Sequence, residues 1–383
     1  MGPCRIAAEA PNPELGPLSA RNGVFRDAFG DHRPAVITDV GASEARSRSS
    51  HGLGGSGKSY CPDSVAAYIK SCSLRSVLGR APPGILSLML AFVTSMPHPK
   101  SCASYVRRSE LLRDTLRSVL GQTHSDFRIV IVANEPPDFE LPNDERIEIA
   151  LVSFPPPDLP IGRPLMAADF YADKGSKLAV GAAVAVRQQA DYVMFVDSDD
   201  YVHHELAAFV SRANGQPGWY SDTGYFHVHG VRSVTAVNRD FHKRNGSTHI
   251  LRTDLLGVHG DIDVKFSREE VLDRVGRLRA RSLMGDHQWI VSFFEDLGEP
   301  LAPLPFPAAI WEIGTKENFT RVLAAAGKKV PIAGRISKQY GLAVPSRTSS
   351  VRNEFANASA RVSSRIARSV PWSRTAREFR NRD

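Results

Sequence analysis

The strongest chemical signal in this 383-residue chain is an eleven-residue run, YVMFVDSDDYV, over residues 192–202. Five apolar residues in a row demand burial, and they stop at Asp197, Asp199 and Asp200, three carboxylates within four positions. Left to themselves these groups repel one another and resist desolvation. A divalent cation relieves that repulsion, and hard oxygen ligands suit Mg²⁺ or Mn²⁺. Such an ion can bridge the oxygens of a diphosphate and offset charge on a leaving nucleotide. A solvated acidic loop, or a cap for a helix beginning near His203, explains the same residues without any ligand.

A second pattern, GLGGSGKS at residues 52–59, satisfies the phosphate-cradling consensus G-x-x-x-x-G-K-[ST]. A working loop of that kind follows a buried strand and opens a helix. This one follows Ser49-Ser50-His51, and Pro62 arrives three residues after Ser59. The nearest hydrophobic run, residues 35–40, ends too early to be its strand. It reads as a decoy. The four cysteines, Cys4, Cys61, Cys72 and Cys102, form no C-x-x-C pair and meet no histidine at zinc spacing. They read as reduced thiols.

Stepping from these groups to what must carry them, residues 1–83 are rich in Gly, Ser, Pro and Arg and read as a loose region with one short helix over 62–78. Periodicity begins at Ile85. The most apolar stretch, residues 85–96, is 12 residues long; a membrane-spanning helix needs about 20, so a buried strand is expected. A helix over 105–121 carries Leu112, Leu116, Val119 and Leu120 on one stripe and stops at Gly121. A buried strand over 127–133 follows, then an alternating one over 146–152 with Ile147, Ile149 and Leu151 on one face. A Pro-rich loop leads to a helix over 174–189 and the strand 192–196. Beyond come a helix over 203–214, antiparallel strands over 219–229 and 231–237, and helices over 267–279 and 286–297. Strands alternating with helices predict an α/β fold with a doubly wound, mostly parallel sheet flanked by helices, whose ligands bind beyond the carboxyl ends of the strands.

Residues 109–137, SELLRDTLRSVLGQTHSDFRIVIVANEPP, followed some 60 residues later by FVDSDDYV, resemble the family 2 glycosyltransferases of GT-A fold. Leu112, Thr115, Leu116, Ser118, Val119, Leu120, Gln122 and Thr123 stand in the places of that family's LxxTLxSVLxQT helix. The likeness covers roughly residues 85–315. It implies that Asp197 contacts the donor ribose or sugar, that Asp199 with Asp197 holds the metal, and that Asp200 is a flanking ligand or cap. The family's acidic pair after the second strand is replaced by Asn134 and Glu135, either of which can hydrogen-bond a base edge. Lys177, in Asp173-Lys174-Gly175-Ser176-Lys177 at the expected start of a helix, is placed to meet the donor diphosphate with help from the helix N-terminus, or is a solvated first-turn lysine. Asp286, in MGDHQW, aligns with the base that deprotonates the acceptor, and equally suits a helix N-cap. His287 beside it would orient the acceptor or Asp286. Residues 245–252, including His249, match a loop-and-strand segment on the acceptor side. Trp219, Tyr220 and Trp311 suit either sugar stacking or core packing.

With 48 Lys+Arg against 41 Asp+Glu the net charge is +7, and hydrophobic residues make up 42%. That composition excludes wholesale disorder, a collagen-like repeat and a disulfide scaffold. Residues 352–383 hold eight arginines and three acids and so carry +5 of the excess. There Phe355, Val362 and Ile366 recur at helical spacing beside Arg361, Arg365 and Arg368, with Pro371 and Trp372 after them. Such a segment suits an anionic membrane surface or is a solvated tail. The charge comes with no recognition motif, so nucleic acid is not an expected partner. The first 16 residues lack the apolar core of a signal peptide. The expected organisation is a loose region 1–83, a GT-A domain 84–315 and a C-terminal extension 316–383. The expected function is metal-dependent, inverting transfer of a sugar from a nucleotide diphosphate-sugar to a saccharide or lipid-linked hydroxyl, in polysaccharide biosynthesis. The expected location is the cytoplasm, peripheral at the inner face of the membrane. The rival readings are a nucleotidyltransferase on a similar sheet and a non-catalytic, membrane-associated scaffold.

Overall fold

The computed structural model describes residues 87–157, 167–315, 317–318 and 327–346. The 1–83 region with its GLGGSGKS segment, and the 352–383 tail, lie outside the described residues. The leading strand β1 (Leu90–Ser95) is followed by α1 (Tyr105–Leu120), β2 (Phe127–Ala133), β3 (Ile147–Leu151), α2 (Ala167–Arg187) and β4 (Tyr192–Asp197). Then come β5 (Tyr201–Val202), α3 (Leu206–Val210), β6 (Gly218–Tyr220), β7 (Gly224–Val228), β8 (Ser233–Val237) and β9 (His249–Arg252). The chain continues through α4 (Arg268–Val275), α5 (Ile290–Asp296), β10 (Ala302–Pro303), β11 (Ala309–Ile313), β12 (Lys329–Pro331) and α6 (Arg335–Tyr340).

Among the described residues the strands form two sheets. One has seven strands in the order β10-β6-β9-β4-β1-β2-β3, and the other five in the order β12-β8-β7-β11-β5. In the larger sheet β3, β2, β1 and β4 run parallel, while β9 pairs antiparallel with both β4 and β6. The fold is thus mixed α/β with a central, mostly parallel sheet flanked by helices. β1, β2 and β4 are buried on both faces, as continuous apolar runs require of central parallel strands.

One face packs Leu90, Phe92, Ile129 and Ile131 against Leu112, Leu116 and Val119 of α1. The other packs Ala91, Val93, Val130 and Val132 against the small residues of α2. Gly181 explains how closely α2 approaches: a Cβ there would lie 2.3 Å from a Val93 methyl. Ser104 caps α1 by accepting from Arg107 N at 3.2 Å, and Ser267 and Glu270 form a capping box on α4.

Four expectations are corrected. α2 spans Ala167–Arg187 and does not begin near residue 174. The helix expected over 203–214 is only α3. The strand expected over 219–229 divides: β6 joins the large sheet and β7 the small one, because Ser221 turns inward to bond Thr223 O and Ala308 N. Leu151 on β3 is 42% exposed, since β3 is the edge of the large sheet among the described residues. Packing also continues past residue 315. β12 pairs with β8, and Ile336 and Tyr340 of α6 pack with Tyr201, Val234 and Ile310. Among the described residues no helix is long and apolar enough to cross a membrane.

Candidate functional site

The three carboxylates stand at the carboxyl end of β4, where Asp197 is in register with Ser95 at the end of β1. Asp200 N donates to Asp197 O at 3.1 Å, and this tight turn sends the carboxylates in different directions. Asp200 points inward and is fully buried. Its Oδ2 accepts from Asn245 Nδ2 and Ser247 Oγ, both at 2.6 Å, and its Oδ1 from Glu312 N at 3.1 Å. Burial and the charges of Asp199 and Asp197 hold its carboxyl well above the usual range, against those donated hydrogen bonds. Asp200 is therefore neither a flanking ligand nor a helix cap; both its oxygens tie the 245–247 loop and β11 to the turn. Ser247 Oγ also accepts from Asp197 N at 2.9 Å.

Asp197 and Asp199 each meet a cation. Lys174 Nζ, from α2, donates to Asp197 Oδ1 at 2.5 Å. Burial alone would raise the Asp197 carboxyl, but Lys174 outweighs it and holds the group below the usual range. Asp199 Oδ2 accepts from Asn318 Nδ2 at 3.1 Å and lies 3.4 Å from Arg108 Nη1 of α1. Burial pushes Asp199 up to about 6; Arg108 opposes the rise, and Asp197 and Glu312 add to it. Arg108 also faces Glu317 at 3.4 Å, whose carboxylate accepts from Ser104 N at the head of α1. Behind the turn, the buried Glu312 meets His227 Nδ1 at 2.5 Å and His229 Nδ1 at 2.6 Å.

Asp286 reaches this neighbourhood because α2 presses against a π-type turn at Ala280–Gly285. A Cβ on Gly175 would sit 2.6 Å from Ala280 O, and one on Gly285 2.6 Å from Tyr171 O, so both glycines permit the approach. Asp286 does not open a long helix: it caps a single 3-10 turn, His287–Trp289, before α5. Its carboxylate accepts from Trp289 Nε1 at 3.1 Å and weakly from Gln288 N at 3.4 Å. The Trp289 indole is 54% exposed beside it. His287 lies within electrostatic reach of Lys174, Asp197 and Asp286. Burial, then Lys174, brings the His287 imidazole down to about 4, so it is neutral at physiological pH. His249, on β9, is buried and pushed well below its usual range by burial and by His287. The Nε2 atoms of His249 and His287 are both buried without a hydrogen-bond partner.

The remaining candidates lie elsewhere in the network. Lys177 stands in the interior of α2, so the helix-terminus argument does not reach it. Its ammonium is fully buried and donates to Met96 O at 3.1 Å and Asp173 Oδ2 at 2.8 Å. Asn134 Nδ2 donates to Val152 O at 3.2 Å and Phe154 O at 2.8 Å, joining β2 to the segment after β3, and its buried Oδ1 has no partner. Glu135 is exposed, with its backbone oxygen accepting from Tyr105 OH at 2.5 Å. Trp219 is core, packed on Tyr192 and Phe209; Tyr220 lies against His242 and Trp311 against Phe226. Lys174, Arg108, Asn318 and Trp289 were not singled out from the sequence. Lys174 was legible only through the correct helix start, and Arg108 and Asn318 only through tertiary structure.

At this turn no three His, Cys, Asp or Glu ligand atoms lie within reach of one ion among the described residues; what it offers a divalent cation is two carboxylate oxygens. Asp197 Oδ2 and Asp199 Oδ1, hard oxygen donors on one turn, have no hydrogen-bond partner among the described residues, while their sister oxygens are held by Lys174 and by Arg108 with Asn318.

No family model and no curated protein matches the chain. Among solved structures it is similar to residues 1–349 of S. aureus TarS, at 16% identity and a TM-score of 0.31, over 59% of this chain and 60% of that one. The same TarS segment in complex with UDP-GlcNAc gives 16% identity, a TM-score of 0.28 and coverage of 59% and 58%. The glycosyltransferase GlyE of Streptococcus pneumoniae gives 11%, 0.25, and 57% and 45%. The chain thus spans about 60% of the TarS segment.

Proposed function

We propose that the chain is a nucleotide-sugar glycosyltransferase whose donor site is the turn after β4. The observation that carries this reading is the divergence of the aspartates. Asp200 is consumed by the scaffold, while Asp197 and Asp199 each keep one oxygen without a partner beside Lys174 and Arg108. This occurs at the carboxyl edge of a mostly parallel sheet, where α/β folds bind their ligands.

In this reading Asp197 and Asp199 hold Mn²⁺ or Mg²⁺, which when bound offsets charge on the departing diphosphate. Lys174, rather than Lys177, is the ammonium that faces the donor, and Lys177 positions α2 by fixing it to the end of β1. Asn134 and Glu135, at the carboxyl end of β2, face the base. Asp286 accepts the proton of an acceptor hydroxyl as that oxygen attacks the anomeric carbon, which gives inversion in a single displacement. The Trp289 indole N–H, 3.1 Å from Oδ2, orients that carboxylate. Neutral His287 and His249 line the side from which the acceptor, a saccharide or lipid-linked hydroxyl, arrives.

A nucleotidyltransferase reading finds less support. β1 exits through Met96-Pro97-His98 into a 3-10 turn, Pro99–Ser101, with no Gly-rich phosphate loop. Titration calorimetry with UDP, GDP and dTDP in the presence of Mn²⁺ tests the donor site. Binding of one of them by the wild type, lost in Asp199→Ala and weakened at least tenfold in Lys174→Met, is the expected result. Equal binding by all three proteins, or none by any, removes the basis of the proposal.

A further inference from the structure

A separate group of side chains joins the turn between β6 and β7, which carries Asp222, to the segment between β8 and β9, which carries Asp240 and His242. Asp222, Asp240 and His242 each offer one ligand atom, and the three atoms lie within 4.8 Å of one another. The backbone brings them together. Asp240 N donates to Asp222 Oδ1 at 2.8 Å, and Phe241 N to Asp222 O at 3.0 Å. Asp240 itself adopts φ 55°, the left-handed conformation that aspartate tolerates better than most residues.

The imidazole is what distinguishes this group from an ordinary acidic surface cluster. His242 is 7% exposed, and its Nδ1 is buried without a hydrogen-bond partner. That nitrogen faces the cluster, 3.4 Å from Asp222 Oδ1. A buried polar atom left unmatched is unfavourable, and a neutral imidazole nitrogen facing two carboxylates is a ligand set.

The carboxylates are free to close. Their side chains are 42% and 44% exposed, so torsions can contract the 4.8 Å spread to the roughly 3–3.5 Å separation of ligands at ~2.1 Å from one ion. Lys243 Nζ lies 2.8 Å from Asp240 Oδ1, but both groups are exposed, and such a surface pair is weak enough to yield to a divalent ion.

We propose that Asp222, Asp240 and His242 form a metal centre for a borderline divalent transition ion of the Zn²⁺ class, separate from the acidic turn after β4. One nitrogen and two carboxylate ligands select such an ion over Mg²⁺ or Ca²⁺, which favour all-oxygen sets. The three protein ligands leave a position for water. The ion fastens the turn at 240–243 to the segment after β6. That turn leads directly to Asn245 and Ser247, which hold Asp200, so occupancy stiffens the loop beneath Asp197.

Co²⁺ substitutes for Zn²⁺ and reports its ligands by visible absorption. Full-length protein stripped with a chelator and titrated with Co²⁺ is expected to develop one saturable d–d band per chain, displaced by Zn²⁺ and not by excess Mg²⁺. Asp222→Asn, at a half-exposed position that tolerates the change, weakens Co²⁺ affinity at least tenfold, and His242→Gln abolishes the band. Asp199→Asn leaves the band unchanged, which separates this site from the donor site. Absence of a saturable band overturns the proposal. So does a band that survives Asp222→Asn at full affinity, or one that disappears in Asp199→Asn.

Discussion

Asp199 and Asp200 are adjacent in sequence and alike in chemistry, yet the structure predicts opposite effects on stability when each is changed. Asp200→Ala removes the acceptor for three buried donors: Asn245 Nδ2, Ser247 Oγ and Glu312 N. A buried donor left unmatched costs about 1–3 kcal/mol; the Ser247 hydroxyl can rotate to another acceptor, so the net loss is about 3–5 kcal/mol. Asp200→Asn keeps one carbonyl acceptor in place and, like the carboxyl that burial holds well above its usual range, carries no charge, so it costs less than Asp200→Ala.

Asp199 behaves in the other direction. Its carboxyl is shifted from 3.8 to about 6 by burial, with its side chain only 11% exposed. The folded state therefore binds a proton more tightly than the unfolded chain does. Stability falls as pH rises from about 4 to about 6, and the full penalty, up to about 3 kcal/mol, is present above that window. Asp199→Asn removes that penalty, in which the Arg108 attraction is already counted, for a net gain of about 1–3 kcal/mol at pH 7.5. Urea unfolding at pH 7.5, compared through the midpoint and slope, reads both changes. Asp200→Ala within 0.5 kcal/mol of wild type, or Asp199→Asn less stable by more than 1 kcal/mol, would refute the division of labour between the two aspartates.

Other outcomes follow from the same geometry. In Gly246→Ala the new Cβ would stand 2.8 Å from Asp197 Oδ2, so donor affinity should fall about tenfold in a nucleotide titration while the melting temperature changes little. Gly175→Ala sets a Cβ 2.6 Å from Ala280 O and must push α2 off the π-type turn; a loss of about 2–3 kcal/mol is expected in the same urea series. Trp289→Ala, which removes an exposed indole and its bond to Asp286, should raise the KM for acceptor and leave nucleotide affinity intact. Because Asp199 must be ionised to serve the donor site, metal-dependent nucleotide binding should weaken as pH falls below about 6, and a pH series of titrations checks it.

What the sequence disclosed, and what it hid, divides along physical lines. β1, α1, β2 and β4 were legible because their apolar runs and their 3.6-residue stripe are local signals, and the acidic turn was legible because it interrupts one of them. The start of α2 was hidden by Asp173, which resembles an N-cap but lies within the helix and pairs with Lys177 four residues on. That directed attention to Lys177, which is buried against Met96 O and Asp173, and away from Lys174, which pairs with Asp197. The role of Asp200 could not be read, since its partners lie 45, 47 and 112 residues away. Arg108 and Asn318 were hidden for the same reason. Asp286 was singled out by resemblance alone; the glycines at 175 and 285, whose purpose appears only when α2 meets the π-type turn, are what let the turn that leads into it pack against α2.

The central claim, that the turn after β4 activates a nucleotide-sugar, is tested most directly by release of nucleotide diphosphate. The full chain, incubated with Mn²⁺ and a panel of UDP-, GDP- and dTDP-sugars, should liberate the nucleotide diphosphate from one donor class. Asp199→Ala should abolish that release, and Asp286→Asn should suppress transfer to an acceptor while nucleotide binding persists. No release from any donor, or release unchanged in Asp199→Ala, would contradict the account.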